Sequence, residues 1–233
     1  MPAVITNADG FTLKAKNLQI QQGNKILLSD VNLTLTQGTA ICISGKIGTG
    51  KTSLLDVLGL LHPPKAGEIY IGSSYNCVLL SRGERDVMIG LYFAYVFQTP
   101  KLLLRWNALE NVSLPLMVKG YSKAERQQKA EEYCQKLGIP DEYLTRNVSK
   151  LSAGTMKLVS IARAFAKEPK ILIADEPTAN LDKNTRNHIT KLLVNQAKKK
   201  QVTLIVSTHL QTTKGADFDE RYVIKDQQLV REE

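Results

Sequence analysis

Apolar residues come in short runs separated by turn-forming residues in the first part of the chain. Between Phe11 and Leu35 these runs are interrupted at Gly23-Asn24, and Gly38 follows the last of them. Such spacing is typical of antiparallel strands joined by turns. Thr39–Ile43 is instead a largely apolar segment, as expected for a buried strand of a parallel sheet. The pattern therefore predicts an N-terminal antiparallel β subdomain that leads into a central sheet.

Helical spacing first appears after this strand. Apolar residues recur every three or four positions, at Leu54, Leu55, Leu58 and Leu61. Pro63-Pro64 and Gly67 then predict a loop, and Glu68–Ile71 predicts the next strand. Val87–Phe97 is the longest uncharged apolar run, and we interpret it as a buried strand that ends beside Gln98.

Residues from about 101 to 150 have helical periodicity and few strand signals. Ser122 and Glu125 have the spacing of a capping box, and Gly138 is placed to end the helix that follows. One face of that helix carries Ala130, Tyr133, Cys134 and Leu137. Because Cys134 lies on this face, we expect it to be a small buried hydrophobic residue. We predict that this region is a helical subdomain inserted into the sheet domain.

From Leu151 onward, helical and strand-like segments alternate. They are Met156–Lys167, Ile171–Ala174, Lys183–Lys199 and Val202–Ser207. This order is typical of parallel strands joined by crossover helices. We therefore predict one α/β domain with a mainly parallel sheet. Its core comprises about residues 1–100 and 151–233, and its inserted helical subdomain comprises about residues 101–150.

The 233-residue chain carries a formal net charge of +9. This excess permits an acidic partner such as nucleic acid, an anionic membrane surface or a nucleotide. The dense basic cluster Lys198–Lys200 is interpreted as the solvated end of a helix, and no nucleic acid is expected as a partner. Cys42, Cys77 and Cys134 have neither metal-binding nor disulfide spacing, so a reducing cytoplasm is the simpler expectation.

The sequence does not predict a membrane anchor. Its longest uncharged apolar run has 11 residues, whereas a membrane-spanning helix needs about 18–20. The first residues lack a basic segment followed by an apolar core, and no signal peptide is expected. A role at a membrane would therefore have to come through a partner.

A glycine-rich segment lies between the Thr39–Ile43 strand and the first helical pattern. It reads Gly45-Lys46-Ile47-Gly48-Thr49-Gly50-Lys51-Thr52, with Ser53 next, and matches the phosphate-binding pattern G-x-x-x-x-G-K-[ST]. Its backbone N–H groups can surround the phosphates of ATP, which Lys51 can also reach, and the Thr52 hydroxyl is placed to bind Mg²⁺. The alternative is a chance glycine-rich turn, which the flanking strand and helix disfavour.

Two carboxylates follow the predicted strand Ile171–Ala174. Asp175 is placed to bind Mg²⁺ through water, and Glu176 is placed to polarise the water that attacks the γ-phosphate. An acidic pair is also common as a helix cap, so this pair indicates a catalytic site only in combination with the phosphate-binding segment. Parallel strands open onto their ligand at their carboxyl ends, where both motifs would meet.

Three segments add to these motifs: Leu151-Ser152-Ala153-Gly154-Thr155 before a helix, Asp175-Glu176-Pro177-Thr178-Ala179-Asn180-Leu181-Asp182, and His209 after a strand. Together with the phosphate-binding segment, they resemble the motifs of the ATP-binding subunits of ABC transporters. The resemblance covers nearly the whole chain and implies the P-loop NTPase ABC ATPase fold, with Mg²⁺-dependent ATP hydrolysis coupled to transport. It also implies that Gln98 links Mg²⁺ to the helical subdomain, that Ala179–Asp182 forms the D-loop and that His209 contacts the γ-phosphate.

Ser152 and Gly154 of this signature segment precede a helix whose dipole favours anions, so they imply a second phosphate-binding site. Since the chain already has one phosphate loop, the second site is expected to serve ATP bound to another chain. The resemblance implies a homodimer or a paired ABC ATPase. Two ATP molecules would then lie between phosphate loops, signatures and D-loop residues such as Asp182.

Some residues depart from the family pattern. Ala153 and Thr155 replace the usual glycine and glutamine of the signature, and Leu210 occupies a position that is often acidic. The Ile20–Gly23 segment lacks the aromatic residue on which many members stack adenine, a loss worth about 1–3 kcal/mol. Phe11 is a candidate replacement. The groups assigned to chemistry are present, so an active ATPase is predicted.

Segments around Gln98 and from Ala108 to Leu116 resemble the branch of lipoprotein-release and macrolide-efflux ATPases and the cell-division ABC ATPase. That resemblance implies a separate membrane permease, which holds the chain at the cytoplasmic face of the inner or plasma membrane. We expect a groove between the sheet domain and Leu102–Val112 to receive a cytoplasmic helix of the permease. Trp106, the only tryptophan, is either an anchor for this partner or a core residue.

Other functions are compatible with some of the same features. A soluble ABC ATPase acting on nucleic acid or ribosomes fits the positive charge, but such proteins typically carry a long coiled-coil insertion or two ATPase units. A regulatory module that passes ATP-driven motion to cell-wall hydrolases has the same motifs as a transporter subunit. A small-molecule P-loop kinase would leave Ser152, Gly154 and His209 unexplained.

Overall fold

The computed structural model describes residues 11–72, 75–209 and 216–232. Residues 1–10, where the sequence does not predict a signal peptide, lie outside the described residues. Leu210 also lies outside them. The strands are β1 (Thr12–Gln22), β2 (Lys25–Thr36), β3 (Ala40–Ser44), β4 (Ala66–Ile71), β5 (Tyr75–Asn76), β6 (Phe93–Val96), β7 (Ile171–Ala174), β8 (Thr203–Thr208), β9 (Glu220–Lys225) and β10 (Gln228–Glu232). The helices are α1 (Lys51–Leu58), α2 (Arg82–Tyr92), α3 (Ala108–Val118), α4 (Lys123–Lys136), α5 (Asp141–Leu144), α6 (Ala153–Ala166) and α7 (Lys183–Lys199). Within these ranges, no helix combines the length and apolarity needed to cross a membrane.

The first sheet is antiparallel and has the order β2-β1-β4-β5. Leu13 of β1 lies opposite Leu35 on one side and Ile71 on the other, and all three side chains are buried. Because side chains alternate along each strand, these pairings gather the apolar residues on one face. The predicted N-terminal antiparallel subdomain is confirmed, and β4 contains the strand predicted at Glu68–Ile71.

The second sheet has the order β10-β9-β3-β8-β7-β6, and its pairs are parallel except for β9 and β10. Along β3, Ala40 and Cys42 belong to one hydrophobic core, whereas Ile41 and Ile43 belong to the other. A strand with a core on each face must be apolar at every position, which explains its continuous apolar sequence. The predicted α/β fold with a mainly parallel sheet is confirmed.

The helices of the middle region share a core with α6. α3 packs against both α4 and α6, and Leu116, Cys134 and Val159 are buried where they meet. Burial raises the pKa of the Cys134 thiol to about 12, as expected for a small hydrophobic residue. The capping box of Ser122 and Glu125 begins α4 as the sequence predicts. The subdomain boundaries near residues 101 and 150 stay a prediction.

The interpretation of Val87–Phe97 as one buried strand is wrong. Its first six residues belong to α2, and only the later ones form β6. Ser81 and Glu84 make a reciprocal capping box, and this polar pair begins a helix where apolar periodicity alone is ambiguous. Gln98 nevertheless follows the strand, two residues after its end.

Two turn positions also differ from the prediction. α1 ends at Leu58, so Leu61 lies beyond the helix and is exposed. Gly67 lies within β4 rather than in the preceding loop. Its φ is +95°, and a Cβ there would lie 2.5 Å from the carbonyl oxygen of Asn17. Glycine is therefore required where β4 passes this close to β1.

We predict that Gly67→Ala destabilises the protein more than Gly120→Ala. Both glycines have a left-handed φ, of +95° and +84°, but a Cβ at Gly120 would meet no atom within 4 Å. Gly120→Ala should lower the free energy of unfolding by about 1–2 kcal/mol, the cost of a left-handed alanine. Gly67→Ala should cost about 1–3 kcal/mol more, because the two strands must move apart. Urea unfolding measures both values, and equal losses would contradict the steric explanation.

Candidate functional site

The glycine-rich segment connects the end of β3 to the start of α1. Gly50 is the N-cap of α1, with a left-handed φ of 96° and no side-chain hydrogen bond to the helix. A Cβ at Gly50 would lie 3.0 Å from the Cβ of Leu27, so close packing requires glycine as well. The first N–H groups of α1 are thus left to bind an anionic ligand.

Lys51 is the first residue of α1, and its ammonium lies inside the loop. The side chain is 5% exposed, and Nζ donates to the carbonyl oxygens of Gly45 at 2.9 Å and Lys46 at 3.0 Å. Carbonyl oxygens orient an ammonium without neutralising it. The positive charge therefore remains available to attract the outer phosphates of a nucleotide.

Thr52 lies beside Asp175, the first of the two carboxylates after β7. Its Oγ1 donates to Asp175 Oδ2 at 2.8 Å. A hydroxyl and a carboxylate are oxygen ligands that suit Mg²⁺, which usually takes few protein ligands and completes its shell with phosphate oxygens and water. The two residues thus fit the magnesium site that the sequence predicts.

Glu176 lies between a lysine and a histidine. Its Oε1 is 3.6 Å from Lys51 Nζ, and its Oε2 is 3.0 Å from Nδ1 of His209. Since a carboxylate only accepts, the histidine must carry its proton on Nδ1, which leaves Nε2 for a ligand. The Glu176 side chain is 15% exposed and retains access to the site.

Ser207 is a site residue that the sequence analysis missed. It is fully buried on β8; its Oγ donates to Asp175 Oδ1 at 2.5 Å and accepts from the N–H of Glu176 at 2.9 Å. The second bond holds the Glu176 backbone, whose φ of 41° is left-handed and therefore costly for a residue with a Cβ. A small polar residue near the carboxyl end of a buried strand is the signal that would have indicated it.

Several of these groups, including Lys51, Thr52, Glu176 and His209, line a cavity of about 530 Å³. The lining residues are Gln22, Ile47, Gly48, Gly50, Lys51, Thr52, Ser53, Asp56, Gln98, Glu176, Ala179, Asn180 and His209. The cavity therefore brings the phosphate loop together with Gln98, Glu176, His209 and the start of the predicted D-loop.

Other predicted site residues do not line this cavity. They are Gly45, Lys46, Thr49, Ser152, Gly154, Asp175 and Asp182. Ser152 caps α6 by accepting from the N–H of Thr155 at 3.1 Å, and the Thr155 hydroxyl lies 2.9 Å from its Oγ. Asp182 caps α7. Hydrogen bonds to its carboxylate lower its pKa, and the one from the Thr185 side chain contributes most. The roles of Ser152, Gly154 and Asp182 toward a second nucleotide stay predictions.

Among the described residues, the lining of the cavity contains no phenylalanine, tyrosine or tryptophan. Gln22 lines it instead, from the segment in which the family pattern places an aromatic residue. Phe11 is 3% exposed, and its ring centroid lies 5.4 Å from that of Tyr92. The interpretation of Phe11 as a replacement platform for adenine is therefore wrong, because this ring is part of the core.

The family model described as ABC transporter matches residues 28–179, which span the phosphate loop, the signature segment and both carboxylates. The chain belongs to the ABC transporter family. The lipoprotein-releasing system ATP-binding protein LolD of Rhodopseudomonas palustris (strain BisB5) is 36% identical over 214 residues, with 91% of each chain covered. LolD of Rickettsia bellii (strain RML369-C) is 35% identical over 202 residues, with 85% of this chain and 88% of that protein covered. The predicted resemblance to the lipoprotein-release branch is confirmed.

Solved structures share the fold of this ABC ATPase. The dimeric, post-hydrolysis ATP-binding cassette MJ0796 bound to ADP and Pi matches with a TM-score of 0.84 and 32% identity, over 95% of this chain and 97% of that chain. CbiO1 from Clostridium perfringens, part of the ABC transporter complex cbiONQ, matches with a TM-score of 0.82 and 26% identity, over 95% and 87%. The chain is accordingly an ATP-binding and ATP-hydrolysing ABC subunit.

We predict that Ser207→Ala raises the Mg²⁺ concentration needed for ATP hydrolysis. Loss of a residue that orients a metal ligand typically costs about 10- to 100-fold in metal affinity or activity. Thr203→Val is the matched control, because Thr203 is also buried on β8 and donates to the Thr36 carbonyl at 3.1 Å, at the other end of the strand. Titration of ATPase activity with Mg²⁺ distinguishes them. Equal shifts in both variants would show that Ser207 only stabilises the sheet.

Proposed function

We propose that the chain is the ATP-hydrolysing subunit of a membrane transporter complex, that it works as a pair of chains and that it drives a separate permease. The observation that carries the proposal is the position of Glu176 between Lys51 and His209 in the cavity of the phosphate loop. The LolD proteins are named as parts of a lipoprotein-releasing system, and CbiO1 as part of a transporter complex. These names favour a permease, at the cytoplasmic face of the membrane, over nucleic acid or ribosomes.

The geometry supports hydrolysis of the γ-phosphate by water. Lys51 and the N–H groups at the start of α1 hold the phosphates and stabilise charge that develops on them. Glu176 accepts a proton from the attacking water as the new bond to phosphorus forms, and the bond to the bridging oxygen of ADP breaks. His209 donates from Nδ1 to Glu176, which holds the carboxylate in place. The predicted contact of His209 with the γ-phosphate would require an N–H at Nε2 as well, because phosphate oxygens only accept hydrogen bonds.

Mg²⁺ would be held by Thr52 and Asp175, and Gln98, which lines the same cavity as Thr52, is the third candidate ligand. When bound, the ion supplies positive charge against the phosphate oxygens. Ser207 supports this arrangement because it fixes Asp175 Oδ1 and leaves Oδ2 directed to Thr52. The protein thus pre-orients both ligands through one buried hydroxyl.

The signature segment supports a pair of chains. Ser152 begins α6, a 14-residue helix whose N-terminus favours anions, and this segment is absent from the lining of the chain's own nucleotide cavity. A second chain placed head to tail across a two-fold axis would bring that N-terminus to the partner's phosphates. The MJ0796 cassette is described as dimeric, which supports a pair of chains.

We predict that Glu176→Gln abolishes ATP hydrolysis and accumulates an ATP-dependent dimer. The amide cannot accept the proton, so the rate should fall about 100-fold or more while ATP still binds. Light scattering with and without ATP measures the dimer, and adding Ser152→Arg should abolish it by placing bulk and charge at the start of α6. Glu142→Gln is the control, because Glu142 is exposed on α5. Retained hydrolysis in Glu176→Gln would refute the role of this residue.

An apolar groove of about 430 Å³ lies between α2, β6, the second half of α3 and α6. Its lining residues are Gly90, Ala94, Tyr95, Phe97, Leu114, Pro115, Val118, Lys119, Arg163, Ala164 and Lys167. The groove lies further along α3 than Leu102–Val112, the segment that the sequence indicated. Since Phe97 directly precedes Gln98, the groove and the nucleotide cavity share one chain segment.

The charges in this groove indicate what it would bind. Lys119 pairs with Glu168 at 2.8 Å, but no carboxylate of the described residues forms an ion pair with Arg163 or Lys167. Burial lowers the pKa of both of these side chains, and Lys167 Nζ has the carbonyl of Ile89 as a partner at 2.9 Å. We propose that the occupant is a short cytoplasmic helix of the permease with an apolar face and a carboxylate.

We predict that Val118→Lys prevents association with the permease without changing ATP hydrolysis by the isolated subunit. Val118 is 80% exposed at the groove, and losing the burial of a valine should weaken binding about 10-fold or more. Val230→Lys is the control, because Val230 is 43% exposed on β10, away from the groove. The measurement is co-purification from detergent-solubilised membranes, with mass spectrometry of membrane-spanning chains. Equal recovery of the same permease by both variants would place the docking surface elsewhere.

A further inference from the structure

Lys157 is a buried lysine that the phosphate chemistry described above does not use. It is the fifth residue of α6, just over one turn from the helix start, and is 4% exposed. Its Nζ donates to the carbonyl oxygen of Phe97 at 3.3 Å and to that of Gln98. A side chain of the signature helix therefore holds the backbone of the segment that carries Gln98.

Stability alone gives little reason for a lysine here. Burial disfavours its charge and lowers its pKa to about 8, although Asp175 and Glu176 act in the opposite direction. Among the described residues no carboxylate forms an ion pair with it, and its hydrogen bonds are to backbone carbonyls. An apolar side chain of similar size would avoid the cost of burying an ammonium.

The position of Lys157 connects two parts of the predicted mechanism. Ser152, at the start of the same helix, is expected to face the ATP of the partner chain. Gln98 lines the chain's own nucleotide cavity. Lys157 is five positions after Ser152, about 7.5 Å along the helix axis, so a shift of the helix start moves both together.

We propose that Lys157 is a positioning residue that links the signature end of α6 to Gln98, so that docking of the partner chain sets the position of Gln98 for hydrolysis. The inference rests on the proposed function, because it needs two chains and ATP hydrolysis. The link acts on backbone carbonyls, so it fixes where the Gln98 side chain starts and leaves that side chain free to contact the ligand. A displacement of about 1 Å at such a group can cost about 100-fold in rate.

The test compares Lys157→Met with Lys157→Arg in steady-state ATP hydrolysis. Methionine keeps the unbranched stem and removes the donors, so kcat should fall about 10- to 100-fold while the KM for ATP changes little. Arginine retains cationic donors and should restore most of the lost kcat. Lys200→Met is the control, because Lys200 also donates to a neutral oxygen, that of Tyr133 at 3.2 Å, outside the nucleotide cavity.

A second measurement separates lost linkage from lost folding. In the Glu176→Gln background, Lys157→Met should still form the ATP-dependent dimer, because the signature surface is unchanged. If Lys157→Met does not fold, Lys157→Gln, whose amide is too short to reach both carbonyls, replaces it in both measurements.

An unchanged kcat in Lys157→Met, an equal loss in Lys200→Met, or a raised KM with the same kcat would overturn the inference. So would loss of the ATP-dependent dimer in the double variant. Wild-type protein without ATPase activity would instead refute the proposed function itself. If the wild type hydrolyses ATP and Lys157→Met has the same kcat, only the linkage through Lys157 is refuted.

Discussion

The parallel pairing of β3, β8 and β7 is the constraint on which the site depends. Ser44 is paired with Thr208, and Ala174 with Val206, so three strands end at the same edge of the sheet. The phosphate loop, the two carboxylates and His209 begin within a few residues of these ends. Hydrogen bonds between strands fix this alignment. A change in register would therefore separate Lys51 from Glu176 even if every motif were intact.

The groups of the site that follow strand ends could be predicted from the sequence. Asp175 and Glu176 directly follow four apolar residues, and the loop around Lys51 has a fixed spacing of glycines. Both signals are local, because the residue types and their order determine the backbone that they form. The Ser122 and Glu125 capping box was predictable for the same reason, since its hydrogen bonds span only three residues.

What could not be predicted depends on contacts between distant segments. Ser207 matters because β8 pairs beside β7, which places its hydroxyl between Asp175 and the Glu176 backbone. Phe11 failed as an adenine platform because its ring packs on Tyr92, a residue that the sequence placed in a strand. Lys157 has one visible signal, a charged residue four positions before the buried Ile161, but its partners only become known from the fold.

Two buried lysines, Lys51 and Lys157, are held by the same kind of interaction but have different roles. Lys51 and Lys157 both donate to backbone carbonyls, which fix an ammonium in place without neutralising it, although Lys51 also lies 3.6 Å from the Glu176 carboxylate. At Lys51 that charge lies inside the loop and is directed to the phosphates. At Lys157 the field of Asp175 and Glu176 favours the charged form against burial.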